Sequence, residues 1–260
     1  MPDFSGPSVA LTGVAKTYSG GVAAVCDVDL TIVGGSFVAL VGTSGSGKST
    51  LLKTINRLVE PSAGQVAIDG QRVDAEAPHR LRRRIGYVFQ NVGLFPHLSV
   101  GENIAIGLRI ADPPVRDTRG RVAELLALVE LPRDLASRMP DALSGGQRQR
   151  VGVARALAAE PRLMLMDEPF GALDPVTRDA LGAAIRALHD RLALTTILVT
   201  HDMAEAMLLA DRVLVMAQGR IVADTTPRDL MAGRAGDAAD ALVAVPRAQA
   251  HRLAALERGG

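Results

Sequence analysis

Apolar and polar positions alternate early in the chain and change period further on. Val28, Leu30 and Ile32 fall at every second position with Asp27, Asp29 and Thr31 between them. A strand over 22–33 therefore buries one face and wets the other. A second strand over 9–18 precedes it across the turn Ser19-Gly20-Gly21. Uninterrupted apolar runs follow at 36–41, 85–90, 162–168 and 195–200, as expected of strands covered on both faces in a parallel sheet. Helical spacing governs three other sets: Leu51, Leu52, Ile55 and Leu58; Val122, Leu125, Leu126 and Val129; Val151, Ala154, Leu157 and Ala158. Asp69-Gly70 and Gln218-Gly219 mark two hairpin turns, and a helix runs from the Gly171–Pro175 turn to about Leu192.

The order of these elements predicts an α/β fold with a mostly parallel sheet, and an antiparallel β subdomain at the N-terminus. The stretch 92–158 is helix-rich, with helices over 100–110 and 115–130 broken by Asp112-Pro113-Pro114. It reads as an α-helical subdomain inserted between two halves of one core, so that 1–232 form a single domain. Residues 233–260 form a tail whose Leu242, Val243, Val245, Leu253 and Leu256 predict short helices.

Composition narrows the functional classes. Apolar residues make up 48% of the 260, which suits a packed globular core. A formal net charge of +1 argues against electrostatic capture of nucleic acid. Cys26 is the sole cysteine, so no disulfide framework forms within the chain, as suits a reducing compartment. The N-terminus lacks a basic-then-apolar signal pattern, and no apolar run approaches the length of a bilayer span. Work at a membrane would then require partners that supply the spanning helices. The basic run Arg82-Arg83-Arg84 is expected to be a solvated face.

The chemistry gathers at a few points. Gly42-Thr43-Ser44-Gly45-Ser46-Gly47-Lys48-Ser49-Thr50 fits G-x-x-x-x-G-K-[ST] between a strand and a helix. Glycines let backbone N–H groups turn inward around phosphate, and the helix N-terminus favours the same anion. Lys48 is expected to reach the outer phosphates, and the Ser49 hydroxyl to hold Mg²⁺. Leu143-Ser144-Gly145-Gly146-Gln147 opens another helix. Ser144 alone would cap it, so the two glycines ask for a further reason. The apolar run ending in Asp167-Glu168 places two carboxylates at a strand's carboxyl end, on opposite sides of the strand. Asp167 suits a metal shell and Glu168 an attacking water. His201 ends another buried run, where these groups should converge. Val92-Gly93-Leu94-Phe95-Pro96-His97-Leu98 is apolar for a connection, which suggests local burial or a docking surface.

Together these motifs resemble the ATP-binding cassette family, over roughly residues 9–225 and in the family's order. Tyr18 matches the aromatic that stacks on adenine, 42–50 the Walker A loop, and Gln90 the Q-loop glutamine. Leu143–Gln147 match the family signature without substitution. Leu163–Glu168 match Walker B, Ala172-Leu173-Asp174 the D-loop, and His201 the switch histidine. The resemblance implies a P-loop NTPase core that binds ATP and Mg²⁺. It implies a head-to-tail homodimer, or a heterodimer with a related ATPase subunit, each nucleotide lying between one chain's Lys48 loop and the other's Ser144-Gly145-Gly146. Glu168 would polarise water, His201 contact the γ-phosphate, and Ser49, Gln90 and Asp167 hold the metal. The absence of a spanning segment implies an importer whose transmembrane permeases are separate chains, with this chain held by them at the cytoplasmic face of the membrane and a solute-binding protein as an indirect partner. The segment 82–97 resembles importers of glycine betaine, choline and related quaternary amines; polar amino-acid importers are similar there. A cassette ATPase with no transport role is the remaining alternative.

Overall fold

The computed structural model describes residues 5–110, 117–171, 173–236 and the single position 244. The Pro-rich break near 113, Ala172 and most of the expected tail lie outside them.

Two sheets form the frame. Strands β1 (Val9–Thr17), β2 (Ala23–Ile32), β4 (Ala63–Ile68) and β5 (Gln71–Arg72) make an antiparallel sheet of order β2-β1-β4-β5. Between β2 and β4, the chain forms β3 (Phe37–Val41) and helix α1 (Lys48–Ile55). The second sheet runs β10-β9-β3-β8-β7-β6, with β6 (Ile85–Val88), β7 (Leu163–Asp167), β8 (Thr195–Val199), β9 (Arg212–Ala217) and β10 (Arg220–Thr225). It is parallel from β9 through β6, and β10 closes one edge as an antiparallel hairpin.

The alternation expected in β2 is present: Val28, Leu30 and Ile32 are buried while Asp27, Asp29 and Thr31 are exposed. It breaks once. Val25 and Val28 are both buried, three positions apart, because the β1–β2 register shifts there and Asp27 adopts a positive φ of 50°. A bulge of this kind turns successive side chains back to one face.

The parallel strands are buried on both sides, as their apolar runs require. In β3, Val38 and Leu40 join one core, whereas Phe37, Ala39 and Val41 join the other. The same split occurs in β7, with Leu163 and Leu165 on one side and Met164 and Met166 on the other. One core lies under the antiparallel sheet and includes Leu51, Leu52 and Ile55 of α1. The other holds α3 (Val100–Ile110), α4 (Thr118–Leu128), α5 (Gly145–Leu157) and α6 (Pro175–Leu192). These helices bury the stripes that periodicity assigns to them, Val122, Leu125, Leu126 and Val129 among them. Leu58 departs from its expected place: α1 ends at Ile55 and leaves Leu58 exposed.

Two short helices complete the region that matters for function. Helix α2 (Pro78–Arg83) carries the basic run, and α7 (Met203–Leu209) follows β8. All three arginines of the basic run are exposed, as expected of a solvated face, and two of them also make specific contacts. Arg82 donates to the carbonyls of Asn56 and Arg57, which lie just past the end of α1, and Arg84 pairs with Glu76. Arg82 thus satisfies carbonyls that a helix terminus leaves without partners. The chain ends its described fold with α8 (Pro227–Met231). Among the described residues, no helix is long and apolar enough to cross a membrane.

Candidate active site

Four neighbouring parallel strands, β3, β8, β7 and β6, deliver their carboxyl ends to one edge of the sheet. In open α/β sheets this edge is where ligands bind. The loop 42–47 leaves β3, His201 follows β8, Glu168 follows β7 and Gln90 follows β6. Distant sequence positions are brought together by strand order alone.

The glycine loop is held tightly from behind. A Cβ on Gly42 would lie 2.1 Å from the Met216 carbonyl oxygen, and one on Gly47 would lie 2.0 Å from that of Ala24. Gly47 is also the N-cap of α1 at φ 101°. Gly45 has a positive φ of 78°, with open space where a Cβ would stand. Lys48 is 5% exposed and folds back over its own loop, donating 2.8 Å hydrogen bonds to the Gly42 and Thr43 carbonyls. Burial pulls its ammonium below the usual lysine range, and the carboxylates of Glu168 and Asp167 oppose that shift.

The two carboxylates behave differently. Asp167 is 2% exposed and accepts a 2.6 Å hydrogen bond from the Ser49 hydroxyl on Oδ1. Its Oδ2 accepts from the Tyr87 hydroxyl at 3.2 Å and pairs with Lys53 at 3.2 Å. Burial, reinforced by Asp167, raises the Tyr87 phenol far above its ordinary value, so Tyr87 stays a donor. Glu168 sits at a left-handed φ of 47° and turns away from this group. Its Oε2 meets Gln90 Nε2 at 3.2 Å and His201 Nδ1 at 3.2 Å. The two adjacent acids therefore have separate sets of partners, Asp167 with Ser49, Tyr87 and Lys53, and Glu168 with Gln90 and His201.

The remaining candidates lie around this centre. Tyr18 is 42% exposed, with its hydroxyl 3.4 Å from that of Thr50 and the Lys16 ammonium over its ring. Ser144 caps α5 in a reciprocal box: its hydroxyl accepts from the Gln147 amide, and Gln147 Oε1 accepts from the Ser144 amide. One of the two glycines beside it has a packing reason. A Cβ on Gly146 would come within 2.8 Å of Thr177 on α6. Asp174 caps α6 by accepting from the Thr177 amide, which holds its carboxyl below the usual range. Among the described residues, the Lys48 ammonium donates only within its own loop, to Gly42, Thr43 and Ser46, and not to Ser144 or Asp174.

Sequence reasoning missed Lys53 and Tyr87. Lys53 lies four residues after Ser49 and so shares its helix face, a signal that spacing offers. Tyr87 becomes a partner of Asp167 only because β6 lies beside β7.

The segment after Gln90 is pinned rather than loose. Buried Asn103 donates to the carbonyls of Phe95 and Leu98 and accepts from the Phe95 amide at 2.7 Å. Phe95 remains 43% exposed and lines a groove of about 480 Å³ with Tyr87, Phe89, Ile106 and Arg155.

A family model described as "ABC transporter" matches residues 25–171. The choline transport ATP-binding protein OpuBA of Bacillus subtilis is 49% identical over 86% of this chain and 58% of its own length. The sulfate/thiosulfate import ATP-binding protein CysA of Synechocystis is 50% identical over 82% of this chain and 59% of its own. The chain thus spans less than two thirds of either relative. A dimeric, post-hydrolysis structure of the ATP-binding cassette MJ0796, bound to ADP and Pi, superposes with a TM-score of 0.77 at 36% identity. It covers 85% of this chain and 99% of the cassette.

Proposed function

The chain belongs to the ABC transporter family, and from that premise we propose that it is the ATP-hydrolysing subunit of an importer. One observation carries the catalytic reading. Glu168 stands at the carboxyl end of β7 beside the phosphate loop, tied to Gln90 and His201 by its Oε2 alone. Among the described residues its second oxygen accepts no hydrogen bond, which leaves it to face water as a base requires.

The loop amides and Lys48 cradle the triphosphate, and Tyr18 offers its exposed ring to the base. A Mg²⁺ ion fits the donors present: the Ser49 hydroxyl and the buried Asp167 carboxylate in contact. Magnesium is commonly held this way, by one or two carboxylates together with substrate phosphates. Ser49, Gln90 and Asp167 would hold it, and when bound it neutralises charge on the phosphates. Glu168 polarises the in-line water, and His201 supports that geometry at the γ-phosphate.

The second half of the site comes from a twin, either another copy or a related subunit. Among the described residues, Ser144, Gln147 and Asp174 make no hydrogen bond to Lys48, whose ammonium donates within its own loop, and the dimer of the MJ0796 cassette supports a two-chain assembly. Phe95 and its groove dock a transmembrane permease subunit, so the protein works at the cytoplasmic membrane face and serves a solute-binding protein indirectly. The cargo is a quaternary amine such as choline or glycine betaine. The choline relative and the segment 82–97 support that cargo, while the sulfate/thiosulfate relative is as similar in the cassette.

Glu168→Gln tests the chemistry. Removing the base should lower kcat by about 10²–10⁴-fold, leave ATP binding intact and trap an ATP-dependent dimer on size-exclusion chromatography. Hydrolysis at the parental rate would remove Glu168 from its role.

A further inference from the structure

We propose that Arg178 is a positioning residue that ties the partner-facing start of α5 to the His201 of the same chain. The inference rests on the hydrolytic, two-chain reading above. Arg178 lies in the first turn of α6, and its guanidinium reaches three groups. Nη2 donates to the Leu173 carbonyl at 3.1 Å, just ahead of Asp174. Nη1 pairs with Asp202 Oδ2 at 2.9 Å. Nε lies 3.6 Å from Glu205 Oε1, an ion-pair contact too long for a hydrogen bond.

The acids it reaches control the backbone around His201. Asp202 Oδ1 accepts from the amides of Ala204 and Glu205 at 2.8 and 3.4 Å, so Asp202 caps α7. The Thr200 hydroxyl donates to Glu205 Oε2 and accepts from the Asp202 amide at 3.0 Å. Thr200 and Asp202 are the two chain neighbours of His201. The imidazole itself is exposed and meets Glu168 alone among these groups. Its placement therefore depends on a backbone that the Arg178 cluster holds from both sides.

The other end of the link is packing. A Cβ on Gly146 would stand 2.8 Å from Thr177 and 3.6 Å from Leu173. Gly146 thus lies beside Thr177 and Leu173, which adjoin Arg178 and its carbonyl partner, so a displacement of the start of α5 bears on those residues. In the dimer, Ser144 and Gly146 meet the twin's nucleotide while His201 meets its own. Arg178 then makes each chain's switch histidine answer to the nucleotide its twin holds. A planar guanidinium suits this task, because it engages a carbonyl and two carboxylates at once, which an ammonium cannot do in fixed geometry.

A double-mutant cycle in the full chain tests the link. Steady-state MgATP hydrolysis is measured for the parent, Arg178→Ala, Arg178→Lys, His201→Ala and Arg178→Ala with His201→Ala. Arg178→Ala should lower kcat about tenfold and change KM less than about twofold, as loss of a transition-state interaction does. Arg178→Lys should recover part of the loss. In the His201→Ala background, Arg178→Ala should cost less than about twofold more. A parental kcat for Arg178→Ala, or a double variant that loses the product of the two single losses, overturns the proposal. If circular dichroism shows Arg178→Ala unfolded, the same cycle run with Arg178→Lys decides, multiplicative losses again overturning it. A parent without MgATP hydrolysis, or a His201→Ala variant at parental rate, overturns the hydrolytic reading itself and this proposal with it.

Discussion

Gly47→Ala isolates the close approach that shapes the phosphate loop. Gly47 adopts φ 101° and ψ 0°, outside the conformations that an alanine takes without strain. That strain costs about 1–2 kcal/mol. The new methyl would also stand 2.0 Å from the Ala24 carbonyl oxygen and 2.9 Å from the Met216 side chain. The carbonyl is backbone and cannot rotate aside as a side-chain tip would. It belongs to β2, where Cys26, two residues on, donates its amide to the Gly219 carbonyl, and the Gly219 amide in turn donates to the Ser46 carbonyl. Relieving the overlap means moving a strand or the loop, and overpacking of this kind costs about 1–3 kcal/mol. The expected loss is therefore about 2–5 kcal/mol, a large share of the roughly 5–15 kcal/mol that holds a domain folded.

Gly45→Ala is the control. Its φ is 78° and nothing lies within 4 Å of an added Cβ, so strain is its only folding cost. Urea unfolding of parent and both variants, with the slope checked for constancy, separates the two costs. Gly47→Ala should fall below Gly45→Ala by about 1–3 kcal/mol. Equal midpoints for the two variants would refute the argument that backbone contact, rather than φ alone, demands glycine at 47.

Two further perturbations probe binding. Lys48→Ala should abolish the ATP-induced rise in melting temperature, which for the parent is about 5–10 °C at a hundredfold excess over Kd; an undiminished shift in differential scanning fluorimetry would contradict the role given to Lys48. Changing Phe95 and Leu98 together to Ser should leave that ATP shift intact, because Asn103 holds the loop through its backbone, yet should abolish co-purification with the permease subunits. Normal co-purification would remove the docking role of this segment.

Much of this protein is legible along the chain. The phosphate loop, the capped start of α5 and the strand ending in Asp167-Glu168 are local patterns, each read within about ten residues, because backbone conformation and capping are local physics. Alternating and continuous apolar runs likewise separate the antiparallel sheet from the parallel one, since burial on one face or two leaves different periods. Strand order is another matter. Tyr87 meets Asp167 because β6 lies next to β7, and Gln90 and His201 converge on Glu168 because β6, β7 and β8 are neighbours. The basic run offers the same lesson in smaller form. Composition makes Arg82 one charge among three, and only the fold shows it closing the end of α1. Local sequence determines which group a residue can offer, while the pairing of segments far apart in the chain determines what that group meets, because contact across a sheet depends on the packing of the whole core.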